Sequence, residues 1–325
     1  MKGKYHVVVQ NKRLRYEFDI KRNITIIRGD SATGKTTLYT MIALAARQGK
    51  SSGVTVQCEK KCRTLEELDW KLVLPTLCGY IIFLDEDNHF IKTAEFAGMA
   101  KKSDNYFVII TREDLPNLPY SVEEIYGIHQ AGKYNDMKKI YNEFYHIYST
   151  KEIKEKIRPD KVIVEDSNSG YDFFHNICCE ENIPCESARG KSNIPNALQS
   201  SRCENLLVIA DGASFGSEMN ELYQFMNIHK NTRCYLPESF EWMILKSGLI
   251  DGKEVQDILA HPQDYIESLE YFNWERFFTG LLIKYTQGTY LSYSKNKLNE
   301  AYLHEKSKKA ILKIMEWIVL ESRIE

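Results

Sequence analysis

The chain has 325 residues, enough to bury more than one core, and its 43% hydrophobic and 27% charged content excludes a disordered tail. Its 43 basic and 45 acidic groups leave a formal charge of −2. That balance excludes a global electrostatic pull toward nucleic acid and leaves such binding to local patches.

Residues 1–18, MKGKYHVVVQNKRLRYEF, carry charges where a signal peptide needs its apolar core, and no apolar run is long enough to span a bilayer. The expectation is a cytoplasmic protein with no membrane partner, whose 8 cysteines are thiols. Cys58/Cys62 and Cys178/Cys179 have the closeness of metal ligands, but neither pair has a second Cys/His pair at zinc-finger spacing.

Residues 4–20, KYHVVVQNKRLRYEFDI, read as a β-hairpin, and NITIIRG at 23–29 reads as a buried strand. GDSATGKTT at 29–37 follows, matching G-x-x-x-x-G-K-[ST] at Gly29, Gly34, Lys35 and Thr36. Glycines let backbone N–H groups wrap a phosphate, and a helix starting at Lys35 aims its positive end at it. The expected nucleotide-binding run is Gly29, Asp30, Ser31, Ala32, Thr33, Gly34, Lys35, Thr36 and Thr37. Lys35 is expected on the β- and γ-phosphates of ATP and the Thr36 hydroxyl on Mg²⁺. TTLYTMIALAARQG, 36–49, has helical apolar spacing and a glycine stop.

YIIFLDED at 80–87 reads as a strand ending in acids, with Asp85 expected in the Mg²⁺ shell and Glu86 as the base for an attacking water. Asp87 competes for the latter role. NYFVIITRED at 105–114 reads as a third strand, ending in Thr111 and the γ-phosphate sensor candidate Arg112, for which a solvated strand-end arginine is the alternative. Residues 133–161 interleave aromatics with lysines and are expected to form an amphipathic linker helix, a nucleic-acid track being the other reading. Arg158-Pro159-Asp160 closes it.

KVIVED at 161–166 and NLLVIAD at 205–211 read as buried strands ending in Glu165 and Asp211. Two strand-end acids can share a divalent cation, while the bland reading has them capping helices. Beyond Leu236 strand signals stop. PESFEWMILKSGLI starts a helix, and residues 284–309, basic and tyrosine-rich, read either as helical packing or as a nucleic-acid face.

The phosphate-loop and acidic-strand motifs make the first domain resemble ATP-binding-cassette and recombination-type ATPases. No LSGGQ-like signature lies between the motifs and their interval is short, so the resemblance implies a reduced member. Such ATPases commonly complete their site with a second protomer, which implies a homo-oligomer. Glu165, Asp211 and the turn ARGKSNI at 188–194 resemble a TOPRIM domain, which implies Mn²⁺ or Mg²⁺ at Glu165 and Asp211. Ala213 stands where that family has a second Asp, and Asp166 where it has Gly; Glu218 is a candidate replacement carboxylate.

The order of domains is similar to that of overcoming-lysogenization-defect (OLD) proteins. The expected class is α/β, with a P-loop ATPase domain over 1–133, a linker helix over 134–160, a TOPRIM-like domain over 161–235 and a helical C-terminal region over 236–325. The resemblance implies an ATP-regulated, metal-dependent nuclease, or a degenerate relative, acting on DNA or RNA of phage or mobile elements. A non-nucleolytic ATP switch that binds a protein or nucleic acid, and a P-loop kinase, stand as alternatives.

Overall fold

Alternating apolar residues make YHVVVQ and LRYEFDI a hairpin: β1 (Tyr5–Gln10) pairs antiparallel with β2 (Leu14–Ile20), Val7 opposite Phe18. The computed structural model that shows this describes residues 1–29, 34–130, 139–148, 156–201 and 205–321. Asp30, Ser31, Ala32 and Thr33 of the expected nucleotide-binding run, and residues 134–138 and 149–155 of the expected linker helix, lie outside the described residues. The chain is mixed α/β and forms two compact units, residues 1–149 with 261–273, and residues 150–260 with 274–325.

The first unit continues with β3 (Ile24–Ile27), α1 (Lys35–Gln48), β4 (Thr55–Gln57), β5 (Lys61–Thr64), α2 (Trp70–Val73), β6 (Tyr80–Leu84), α3 (Ala94–Lys101), β7 (Tyr106–Ile110), β8 (Ile125–Gln130) and β9 (Ile140–His146). Among the described residues its sheet has nine strands in the order β4-β1-β2-β9-β8-β3-β7-β6-β5. The run β8-β3-β7-β6-β5 is parallel throughout. Its inner strands are apolar on both faces, as a sheet covered on both sides requires.

Edge strands β4 and β5 are joined by residues 58–60 alone. Four peptide links reach about 14 Å at most. The sheet therefore curls until its edges approach, and α1 fills the hollow. Leu38, Met41 and Ile42 of α1 share one core with Val7, Phe18, Ile27, Phe83 and Val108. Each such buried side chain contributes roughly 1.5–3 kcal/mol.

Residues 140–146 of the expected linker helix are instead strand β9, which pairs antiparallel with β8 and parallel with β2. Their aromatics alternate rather than recur every third or fourth residue: Phe144 stacks on Phe18 at 4.3 Å, and Asn142 is buried. Tyr and Phe favour a pleated, half-buried surface, and a neighbour offering one decides in favour of strand.

The second unit contains β10 (Lys161–Val164), α4 (Ser169–Glu180), β11 (Cys185–Ser187), α5 (Ile194–Ser200), β12 (Leu206–Ile209), α6 (Met219–Ile228), β13 (Thr232–Tyr235), α7 (Phe240–Lys246), α8 (Lys253–Ala260), α9 (Trp274–Thr286) and α10 (Glu305–Leu312). Among the described residues its four strands are parallel in the order β11-β10-β12-β13. Ser239 caps α7 by accepting the Trp242 N–H, and Phe240 packs on Phe173 and Phe174.

The expected separate C-terminal region is divided. Its helices α7 to α10 belong to the second unit, while residues 261–273 belong to the first. There Gly3 N–H donates to the Gln263 carbonyl at 2.7 Å and the Asn23 amide to the Ser268 carbonyl at 3.0 Å. Among the described residues no helix is long and apolar enough to cross a membrane.

Candidate functional site

Strand β3 ends at Ile27, and Gly29 follows with φ +138°. Gly34, at φ +89°, caps the start of α1. A Cβ at Gly34 would stand 2.8 Å from the Tyr16 hydroxyl, which donates to the Gly34 carbonyl at 2.9 Å. Both the backbone angle and the close approach require glycine there. Tyr16 also bonds Thr37, and burial pushes its phenol up to about 12.

Lys35 is buried, and its ammonium donates to the Gly29 carbonyl at 2.5 Å, so the two ends of the glycine-rich turn are tied by the lysine. Thr36 is exposed on the first turn of α1, its carbonyl bonded by Thr40. Asp85 follows β6 and is buried; its Oδ1 accepts the Glu86 N–H at 2.8 Å. Burial pushes the Asp85 carboxyl up, and the charges of Asp87 and Glu86 add to this. The Glu86 N–H and the Lys35 ammonium oppose it. Lys35 and Asp85 thus feel each other across the parallel strands.

Strand β7 lies between β3 and β6. That order sets its end, Thr111-Arg112, between the glycine-rich turn and the acids. The Arg112 N–H reaches Glu86 Oε2 at 3.3 Å, and its guanidinium reaches Oε1 at 3.4 Å. The two residues singled out as base and sensor are therefore partners. Glu86 is half-buried, whereas Asp87 is exposed.

Sequence reasoning missed Arg28. It is buried beside Gly29, and its guanidinium donates to the Glu113 carbonyl at 3.1 Å and Asp114 Oδ1 at 2.7 Å, fixing the turn that carries Arg112. A charge between an apolar strand and a glycine was its only signal.

In the second unit the paired register sets Val164 beside Ile209, so Glu165 and Asp211 emerge side by side. The Asp211 N–H donates to Glu165 Oε2 at 3.0 Å. Gly190, at φ +117° in the ARGKSNI turn, donates its N–H to the Glu165 carbonyl at 2.9 Å. Burial pushes the Glu165 carboxyl up to about 7, with Glu275 and Glu218 adding to it. Burial also pushes Asp211 well up, and Glu275, Glu165 and Glu241 add to it, against Lys295.

A cavity of about 20 Å³ adjoins Glu165, Asp166 and Asp211, walled by Phe174, Phe240 and Met243. It is the size of one water or one small cation.

Lysines supply part of the compensation. Lys295 donates to Glu275 at 2.5 Å and stands 3.8 Å from Glu241. Glu241 also accepts the Tyr293 hydroxyl at 2.8 Å. Lys191 reaches Glu218 at 3.1 Å, so Glu218 faces a cation rather than standing free in place of the missing second Asp. Asp166 Oδ1 accepts the Ser167 and Asn168 N–H groups and caps the turn into α4. Ala213 is buried.

Glu241, Glu275 and Lys295 come from helices and a loop far along the chain. Sequence reasoning missed them, and only the acid inside the apolar run ESFEWMIL hinted at one. Tyr293 and Tyr302, from the stretch considered as a nucleic-acid face, are buried instead. Among the described residues no group of three or more His, Cys, Asp or Glu is arranged to hold a metal ion.

Compared with protein-family models and with curated proteins, the chain matches none.

Proposed function

We propose that the first unit is a P-loop ATPase of the reduced cassette or recombination type, and that the second is a TOPRIM-like unit whose acids act on nucleic acid under control of the nucleotide. The observation that carries this reading is the adjacency of β3, β7 and β6: β3 leads to Gly29, onto whose carbonyl Lys35 of α1 donates, β7 leads to Arg112, and β6 to Asp85 and Glu86.

Lys35 would leave the Gly29 carbonyl for the β- and γ-phosphates, trading a neutral acceptor for charged ones. Asp85 would hold Mg²⁺, a cation offsetting the burial of its carboxyl, and the Thr36 hydroxyl on α1 would be the other protein group on the ion. Mg²⁺ would supply charge neutralisation on the phosphate oxygens. Glu86 takes the proton of the attacking water once Arg112 has turned from it to the γ-phosphate.

In the second unit Glu165 and Asp211, which line one small cavity with Asp166, would share one divalent cation, Mn²⁺ or Mg²⁺. Cleavage through two acids without the second Asp is expected to be slow. Ala213 and the lysines already on Glu241, Glu275 and Glu218 favour a second reading, an ATP switch that binds nucleic acid or protein without cutting it. A P-loop kinase is the weakest alternative, because no Arg-rich phosphate-clamping segment stands out in the sequence.

The test incubates purified protein with plasmid and single-stranded DNA, with and without ATP and Mn²⁺. ATP hydrolysis lost in Lys35→Ala, with slow DNA nicking lost in Glu165→Ala, supports the first reading. Hydrolysis without nicking supports the second. No ATP binding by wild-type protein rejects both.

A further inference from the structure

The chain crosses from edge strand β4 to edge strand β5 through Cys58-Glu59-Lys60, and two thiols flank the crossing. Cys58 Sγ accepts the Lys60 N–H at 3.4 Å, and the Cys62 thiol donates to the Lys60 carbonyl at 3.8 Å. Both sulfurs thus lie against one residue, on one side of the turn. They are also hydrogen-bonded to each other.

That bond is the largest influence on either group. It brings the Cys58 thiol down to about 7 against the effect of burial, and it pushes Cys62 up. Both cysteines are half-buried and line an open groove of about 640 Å³. Lys60, Lys61 and Arg63 border the same groove, as does Arg47, which pairs with Glu66, while the charge of Glu59 opposes ionisation of Cys58. Thiolate character, access and an adjacent second thiol are what reactive cysteines require.

A second thiol pair among the described residues lacks one of these. Cys178 and Cys185 are likewise hydrogen-bonded, but Cys178 is fully buried.

We propose that Cys58 and Cys62 are a modification site for hydroperoxides, a reversible dithiol–disulfide pair in which Cys58 attacks and Cys62 resolves. The Cys58 thiolate attacks the terminal peroxide oxygen and keeps it as a sulfenic acid, while the O–O bond breaks and the other oxygen leaves as alkoxide or hydroxide, taking a proton to become alcohol or water. The Cys62 sulfur then attacks the Cys58 sulfur, the S–S bond forms and water leaves. Two thiols lose two electrons and two protons, and one hydroperoxide becomes an alcohol and a water. The product links the start of the segment that joins the two sheet edges to strand β5.

The test treats the full chain with hydrogen peroxide, unfolds it, blocks remaining thiols by alkylation, and maps them by mass spectrometry. The expected result is a joined Cys58–Cys62 species, restored by dithiothreitol, forming while exposed Cys78 and buried Cys178 still alkylate. Cys58 should also react with iodoacetamide on the order of tenfold faster than Cys78 at pH 7. In Cys62→Ser, dimedone should trap a sulfenic acid at Cys58; in Cys58→Ser, Cys62 should remain a thiol at the same dose. The proposal is overturned if Cys78 oxidises while Cys58 and Cys62 still alkylate fully. It is equally overturned if Cys62 oxidises normally without Cys58.

Discussion

The two clusters of charge in this chain are built in opposite ways. In the first unit Asp85, Glu86 and Arg112 follow the ends of neighbouring strands, Lys35 opens helix α1, and its ammonium donates to a backbone carbonyl. In the second, Glu165 and Asp211 are joined by Glu241, Glu275 and Lys295, and the lysine already pairs with carboxylates. In the proposed function the first lysine moves from that carbonyl to a phosphate; the other offsets the mutual repulsion of buried acids. The difference separates a site organised toward a ligand from one that first has to hold itself together.

Removing the internal cation of the second cluster should break the comparison most. Lys295→Met leaves Asp211, Glu241 and Glu275 without it and should cost about 3 kcal/mol of second-unit stability in urea unfolding at pH 8. Added Mn²⁺ should recover part of that loss if the acids hold a cation. A variant as stable as wild type would show that the lysine is only a surface contact.

Gly34→Ala should cost roughly 2 kcal/mol in the first unit, from the backbone angle and the approach to Tyr16 together. Adding Tyr16→Phe should recover the steric share and leave the conformational one. Full recovery in the double variant would show that the backbone angle carries no strain.

Glu165→Gln sharpens the contrast through pH. The folded carboxyl lies at about 7, above its ordinary 4.5, so the folded state holds a proton that the unfolded state releases. That contribution is complete below about 4.5 and is lost as pH rises through about 7. Wild-type stability should therefore fall across this window, and the glutamine variant should lose most of the slope and gain on the order of 2 kcal/mol at pH 8. An unchanged slope would assign it to Asp211 or another group.

The smallest effect is expected at Arg112. Its pair with Glu86 is exposed, so Arg112→Ala should change stability by less than about 1 kcal/mol while slowing ATP turnover. Turnover at the wild-type rate would leave Arg112 as a surface partner of Glu86.

Legibility in the sequence follows the same division. The strand, turn and helix around Gly29–Thr36, and the acids after YIIFL, are each specified by contiguous residues whose periodicity and glycine placement suffice. Glu165 and Asp211 were legible as strand ends, and strand pairing brought them together. Glu241, Glu275 and Lys295 were not, because helix packing alone unites positions so far apart. Strand β9 was misread as helix because Tyr and Phe suit both states and its partners β2 and β8 decide. Arg28 was passed over because nothing local shows that the turn at Glu113 folds back onto it.

The most direct test of the account compares ATP binding and single-turnover hydrolysis in wild type and Glu86→Gln, with Mg²⁺ present. The amide keeps the shape of Glu86 but cannot take a proton, so affinity should stay within about twofold while hydrolysis falls on the order of a hundredfold. Hydrolysis at the wild-type rate in Glu86→Gln would contradict the account and pass the role of base to Asp87.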